Sequence, residues 1–334
     1  MTPVVRLAPA KVNLTLAVVG RRSDGYHALH SVMVPIALAD RLTLAVDPSP
    51  GAVDTLHEEG FATGAAADNL VLRAVAAVRS EVRARTGVPP PALAIRLDKR
   101  IPVAAGLAGG SSDAAATIEG ALEAWEAGSE LGGEERFRVA AMVGSDVPFF
   151  LAGGPALVEG RGERVTPLHG LRLGAGERPP AILLVTPAVA AHTAAVFAAW
   201  GAGAMAEPGV AVRTSEHFAS EFGSGLTGGQ LLERAGVLAA ANDLLPAAAS
   251  IVEGLVPFRR ALMRLLGRPI GLSGSGPTLW ALYPSLDDAD LAAESVRAAV
   301  TTGFVSAPGD GDPFVAATTF IMPTIQITEA RHER

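Results

Sequence analysis

The chain has 334 residues, 49% of them hydrophobic and 18% charged, a composition that buries a core easily and excludes global disorder. The length suggests two domains rather than one. A formal net charge of −7 without a basic stripe disfavours nucleic acid as a partner, and the absence of cysteine excludes disulfides, thiolate nucleophiles and cysteine-ligated zinc.

Met1 to Pro9 has no charged region leading into an apolar run, so no secretory signal is expected and the cytoplasm is the default location. Val4–Leu7 and Val12–Val19 are β-branched and apolar and read as strands. Arg22-Ser23-Asp24-Gly25 is a turn signal, followed by an extended run from Tyr26 to Val34. Leu42, Leu44 and Val46 alternate as on a half-buried strand. From Asn69 the period changes: Leu70, Ala74, Val78 and Val82 predict a helix that ends near Gly87. Leu93, Ile95 and Leu97 alternate again. A helix is expected from Ser111 to about Ala127, a second from Glu134 to Met142, and short extended segments after Gly153-Gly154-Pro155.

Gly170–Pro180, with three glycines and two prolines, is the expected domain boundary, dividing the chain into 1–170 and 171–330. Ala181–Thr186 reads as a strand. The apolar stretch Ala181–Trp200 is interrupted by Pro187 and His192, so no membrane span is expected, even though the mean hydropathy is +0.33. Helical patterns follow at 192–200, 229–240, 247–266 and 286–300, with a strand at 278–283. The glycine-rich stretch Gly201–Gly229 is expected to be a mobile loop or lid, and the tail beyond Gly309 an extended segment reaching Thr328.

Four segments carry chemistry. Pro102 to Ala114 follows a strand and opens a helix. Its small residues let backbone approach a ligand, the helix start offers unpaired N–H groups, and Ser111 and Ser112 add hydroxyls. This suits a polyphosphate, although Ser111 could equally be a helix cap. The loop lacks the lysine of a P-loop, and the glycines at 223, 225 and 228 follow no convincing strand. In Pro9 to Leu14, Lys11 and Asn13 project from one strand face. In Gly144 to Phe150, Asp146 stands alone among apolar residues, as a functional carboxylate or a turn residue. A lysine and an aspartate could orient a hydroxyl and neutralise phosphoryl charge, but spacing does not show that these two meet. Gly271 to Pro277 is a second small-residue turn, equally readable as a flexible connection. His27 and His30 have no third partner in sight for a metal.

Taken in order, these segments resemble the GHMP kinases, the superfamily of galactokinase, homoserine kinase, mevalonate kinase and phosphomevalonate kinase. The resemblance rests on Pro9-Ala10-Lys11, the loop from Pro102 to Ser112 and the late glycine turn, and it covers nearly the whole chain. The segments Ala8 to Leu14, Asp24-Gly25-Tyr26-His27, Gly109 to Ala115 and Gly144 to Phe149 are similar to one branch in particular. The acceptor in that branch is 4-diphosphocytidyl-2-C-methyl-D-erythritol, of the non-mevalonate isoprenoid route.

The resemblance implies an α+β, two-domain kinase. Its N-terminal domain would be ribosomal-protein-S5-domain-2-like and its C-terminal domain ferredoxin-like, with the site between them. It implies ATP and Mg²⁺ as cofactors, a small-molecule acceptor, no nucleic acid or membrane, and a monomer or weak homodimer. Lys11 and Asp146 would be catalytic. Asn69, Lys99, Pro102, Gly106, Leu107, Ala108, Gly109, Gly110, Ser111 and Ser112 would bind ATP. Asn13, Tyr26, His27, Thr193, Phe197, Gly274 and Ser275 would bind the acceptor, with Tyr26 and Phe197 on either side of the cytosine. Protein ligands for the metal are unassigned, as is a role for Asn242-Asp243. The loop departs from many members in having Ala104, Ala105 and Ala108 where they carry glycine.

Overall fold

The computed structural model describes residues 2–64, 69–173, 178–202 and 210–322. The first half opens with three strands, β1 (Val4–Asn13), β2 (Ala17–Arg21) and β3 (His27–Asp47). The extended runs expected at 26–34 and 42–46 are parts of one 21-residue strand, β3. Next come β4 (Thr55–Gly60), α1 (Leu70–Thr86), β5 (Ala92–Lys99), α2 (Gly109–Ala124), α3 (Gly133–Val143), α4 (Val147–Leu151), β6 (Ala156–Gly160) and β7 (Arg164–Pro167). They form a seven-stranded sheet in the order β4-β5-β3-β6-β7, with β1 and β2 also paired to β3.

Helix α1 forms where its period indicates. Asn69 caps it by accepting from the Val71 N–H at 2.9 Å, and Val71, Ala74, Val75, Val78 and Val82 make its buried stripe. Gly87, left-handed at φ 75°, ends it. That stripe and α2 cover the sheet through Leu42, Leu44, Leu93, Ile95 and Leu97.

The second half contains β8 (Ala181–Thr186), α5 (Thr193–Ala202), α6 (Val210–Gly223), α7 (Gly228–Glu233), α8 (Ala235–Ala240), α9 (Leu245–Ile251) and α10 (Leu255–Leu266). It closes with β9 (Gly271–Leu272), β10 (Leu279–Tyr283), α11 (Leu286–Thr301) and β11 (Phe314–Thr319). The four strands pair in the order β11-β8-β10-β9, and every residue of β8 is buried. The two halves share one apolar core. Val12, Val32, Val34 and Ile36 of the first sheet meet Leu184, Phe218, Phe222 and Trp280 of the second half.

Three expectations are corrected here. Residues 210–223 are not a loop but an amphipathic helix that buries Ser215, Phe218, Ala219 and Phe222; its apolar period outweighs the glycines around it. Residues 203–209 of the expected lid lie outside the described residues. The helix expected over 247–266 is two helices, because Gly254 is left-handed at φ 84°. The tail strand stops at Thr319, Phe320 bridges back to Ile36 of the first sheet, and 323–328 lie outside the described residues. No helix among the described residues is long and apolar enough to cross a membrane.

Candidate active site

A cleft of about 700 Å³ opens between the two sheets, within the size range of small-molecule sites. One wall is the loop between β5 and α2. Helix α2 starts at Gly109, two residues earlier than expected, and Ala108 occupies the cap position without a side-chain hydrogen bond. Ser111 is therefore no cap. It stands inside the first turn and lines the cleft, with Pro102, Gly106, Ala108, Gly109 and Gly110. Leu107 is buried, and its carbonyl accepts the Lys11 N–H at 3.1 Å.

Gly110 has open space where a side chain would stand, its nearest neighbour being Leu70 Cδ1 at 3.7 Å. The Ser112 hydroxyl is buried and, among the described residues, finds no hydrogen-bond partner. A helix start with bare N–H groups, an orphaned hydroxyl and open space above Gly110 fits a polyphosphate. Ala104 and Ala108 sit at φ 51° and 56°, where a Cβ costs roughly 1–2 kcal/mol. The chain thus holds at its loop a conformation that glycine would adopt without strain.

Lys11 and Asp146 do meet. The register of β1 on β3 shifts between Pro9 and Ala10, a bulge that re-aims the strand just before Lys11. Lys11 is 3% exposed. Its ammonium donates to Gly106 O at 2.9 Å and to Asn13 Oδ1 at 2.7 Å, and it lies 3.9 Å from Asp146 Oδ2. Burial lowers the Lys11 pKa, and Asp146 opposes that shift. The Asp146 side chain is 31% exposed, occupies the cap position of α4 without capping it, and lines the cleft. Asn13 bridges inward, its Nδ2 donating to Ser31 Oγ at 2.8 Å, whose own proton goes to Thr15 O at 2.6 Å. Gly274 closes over this group: a Cβ there would lie 3.2 Å from Lys11 Nζ and 3.3 Å from Asn13 Oδ1. Ser275 shares a 3.0 Å hydrogen bond with Thr193, so both reach the same wall.

Two expected nucleotide contacts turn elsewhere. Asn69 lines the cleft, but its amide caps α1 and donates to Glu58 Oε1 at 2.9 Å. Lys99 also lines the cleft, yet its buried ammonium is held by Asp40 and by Asp113 Oδ2, the latter at 2.6 Å. Asp40 also accepts the backbone N–H groups of Arg100 and Ile101. The two ends of the glycine loop are therefore pinned to each other through Asp40, Lys99 and Asp113. Nothing in the sequence marks this triad, because its members are 59 and 14 residues apart.

Burial, together with the Asp40 carboxylate and against Lys99, raises the Asp113 pKa to about 7. The folded chain thus holds this proton more tightly than the unfolded one. Its stabilising contribution is complete below the ordinary carboxylate range and is lost as pH rises through about 7. Lys99, raised because Asp113 and Asp40 together outweigh its burial, keeps its contribution throughout that window. Unfolding free energy should therefore fall between pH 5 and 8, and fall less in an Asp113→Asn variant. The difference should be of the order of a few kcal/mol, since each pKa unit corresponds to about 1.4 kcal/mol. An equal fall in unfolding free energy from pH 5 to 8 in wild type and variant, read from denaturant titrations, would refute the assignment.

At the acceptor end, of the two residues expected on either side of the cytosine, Phe197 lines the cleft and Tyr26 stands outside its lining. His27 lies on Phe197, centroids 5.3 Å apart and planes 18° off parallel, with Trp200 edge-on to His27 at 5.2 Å. Tyr26 is 54% exposed, beneath the Arg161 guanidinium at 5.4 Å. The reason is local. Tyr26 and His27 are neighbours where the chain enters an extended strand, so their side chains leave on opposite sides. Sequence reasoning also passed over Ser273, whose hydroxyl donates to Gly106 O at 3.0 Å and accepts from Asn13 N at 3.3 Å. Its place in the second glycine turn was the available signal.

A small-residue loop at a helix start, bonded to a lysine that lies beside an aspartate, in a cleft closed by Thr193, Phe197, Gly274 and Ser275 of the second half, is the arrangement of a small-molecule kinase. Residues 69–154 match the family model described as GHMP kinases N terminal domain. A 4-diphosphocytidyl-2-C-methyl-D-erythritol kinase of Pelotomaculum thermopropionicum is 35% identical over 294 residues, covering 88% of this chain and 94% of that one. The enzyme of the same name from Heliobacterium modesticaldum is 45% identical over 206 residues, a match spanning only 60% of either chain. A crystal structure of 4-(cytidine 5'-diphospho)-2C-methyl-D-erythritol kinase superposes with a TM-score of 0.65 at 31% identity, over 95% of this chain and 99% of that one. The chain belongs to the 4-diphosphocytidyl-2-C-methyl-D-erythritol kinase family.

Proposed function

We propose that this chain transfers the γ-phosphoryl group of ATP to the 2-hydroxyl of 4-diphosphocytidyl-2-C-methyl-D-erythritol, a step of the non-mevalonate isoprenoid route. The observation that carries the reading is the Lys11–Asp146 pair, 3.9 Å apart and facing the glycine loop. ATP seats its triphosphate on the start of α2, where bare N–H groups and the Ser111 and Ser112 hydroxyls meet it. Asp146, the cleft-facing carboxylate, orients the acceptor hydroxyl and takes up its proton as the oxygen bonds to phosphorus and ADP leaves. Lys11 neutralises charge on the phosphoryl group in flight, and Gly106 O and Asn13 Oδ1 hold its ammonium in place.

Among the described residues no cluster of three or more histidine, aspartate or glutamate side chains converges on one point. A Mg²⁺ ion bound with the triphosphate would find Ser112, whose buried hydroxyl has no partner among the described residues, as a protein donor beside the phosphates. When bound, it supplies charge neutralisation between the phosphates. The cytosine is assigned to the aromatic corner of Phe197, His27 and Trp200, where a planar ring already stacks.

The test is ATP consumption by the purified chain against diphosphocytidyl-methylerythritol, mevalonate, homoserine and galactose. Turnover with the first and background rates with the others is the expected result. Turnover with any of the other three in preference to it would overturn the acceptor assignment.

A further inference from the structure

Asn242 sits just beyond α8, nearly buried and far from the glycine loop in sequence. Its backbone is stitched to the first half of the chain. Leu16 N donates to Ala241 O at 2.7 Å, Asp243 N donates to Leu16 O at 2.9 Å, and Asp243 Oδ2 accepts Val18 N at 2.9 Å. Its side chain is fully engaged. Oδ1 accepts the Leu244 N–H at 2.9 Å, and Nδ2 spends both protons on the second glycine turn, on Leu272 O at 2.9 Å and Gly274 O at 3.0 Å.

That turn is the lid on the lysine. Gly274, at φ 56°, packs so closely that a Cβ would lie 3.0 Å from Gly106 O, 3.2 Å from Lys11 Nζ and 3.3 Å from Asn13 Oδ1. Ser273 holds Gly106 O, the same carbonyl that Lys11 uses. A turn so placed transmits its own displacement to the ammonium. Only a residue with two N–H donors and one acceptor on a short planar group can make all three bonds. Aspartate has the shape and lacks the donors, and glutamine is a methylene too long.

We propose that Asn242 is a positioning residue for phosphoryl transfer. It touches neither ATP nor acceptor, but pins the Leu272–Gly274 turn against Lys11 and so fixes where the ammonium stands. This rests on the kinase reading above. The Asn242 side chain reaches the glycine loop only through this turn, whose Ser273 hydroxyl bonds Gly106 O, the carbonyl that holds Lys11, so its effect is expected on kcat more than on ATP affinity.

The test compares Asn242→Asp, Asn242→Ala and Ser273→Ala with wild type by steady-state kinetics, calorimetric ATP titration and thermal melting. In Asn242→Asp two carboxylate oxygens face two carbonyls. A kcat loss of roughly 10- to 100-fold is expected, in line with the cost of small displacements in a reacting site, while ATP affinity stays within about threefold. If the Asp variant does not fold, the Ala variant reads the same split without adding charge. In the double variant the losses from Asn242→Ala and Ser273→Ala should fail to add, because both act through one turn. A kcat within about twofold of wild type, a loss confined to ATP affinity, or fully additive losses would each overturn the proposal. An inactive wild type would instead sink the kinase reading, which keeps the two failures distinguishable.

Discussion

Replacing Asp146 by Asn is expected to leave ATP binding intact and to slow phosphoryl transfer at least roughly 100-fold. The substitution keeps the shape and removes the charge and the proton acceptor. It should be tolerated structurally, because the side chain caps no helix and, among the described residues, its one ion pair is with Lys11 at 3.9 Å. The same ion pair sharpens the expectation. Without the carboxylate the burial that lowers the Lys11 pKa loses the one charge that opposes it, so the variant also weakens the cation that steadies the phosphoryl group. Steady-state kinetics with a calorimetric ATP titration separates the two quantities. Near-normal turnover would remove Asp146 from the reaction.

Gly106→Ala should be as damaging by a different route. Gly106 has φ 79°, and an added Cβ would collide with the carbonyl oxygen of Ser273 and come within 3.0 Å of Gly276 N. Both obstacles are backbone, so one of the two glycine turns must move. Moving the first turn displaces the Gly106 carbonyl from the Lys11 ammonium, and moving the second takes the Ser273 hydroxyl off the same carbonyl. We expect a stability loss of about 2 kcal/mol or more and a fall in kcat/KM of about 10³-fold. Gly110→Ala is the control. Its Cβ meets only Leu70 Cδ1 at 3.7 Å, so the fold tolerates it and any loss falls on ATP affinity. If both variants melt and turn over alike, the collision argument is wrong.

The parts of the site that sequence reasoning reached are those written locally. Asn69 followed by an apolar period made the start of α1 legible, and the small residues from Gly106 to Ser112 announced a close backbone approach. Lys11 and Asp146 stood out as ionic groups in apolar segments, yet the 134 residues of chain between them hid their meeting. What could not be read depends on contacts that close over long loops. Asp40 looks like a strand-end charge until Lys99 and the N–H groups of Arg100 and Ile101 are seen to surround it. Helix α6 was hidden by composition. Glycines flank it on both sides, while the period that buries Phe218 and Phe222 is short. That His27 lies on Phe197 while Tyr26 is exposed was not legible either, because a family pattern gives residue identity, whereas the side on which a side chain leaves an extended strand depends on register.

The left-handed alanines at 104 and 108 bear on how the empty kinase meets ATP. A glycine at either position would leave the unliganded loop free to sample both halves of backbone space. Alanine disfavours the left-handed region, so Ala104 and Ala108 keep it only because the loop around them is held in one shape, in part by the bonds from Lys11 and Ser273 to Gly106 O. On the proposed reading the loop is held in its receiving shape before a triphosphate arrives, and the strain of the two methyl groups is the cost of that shape.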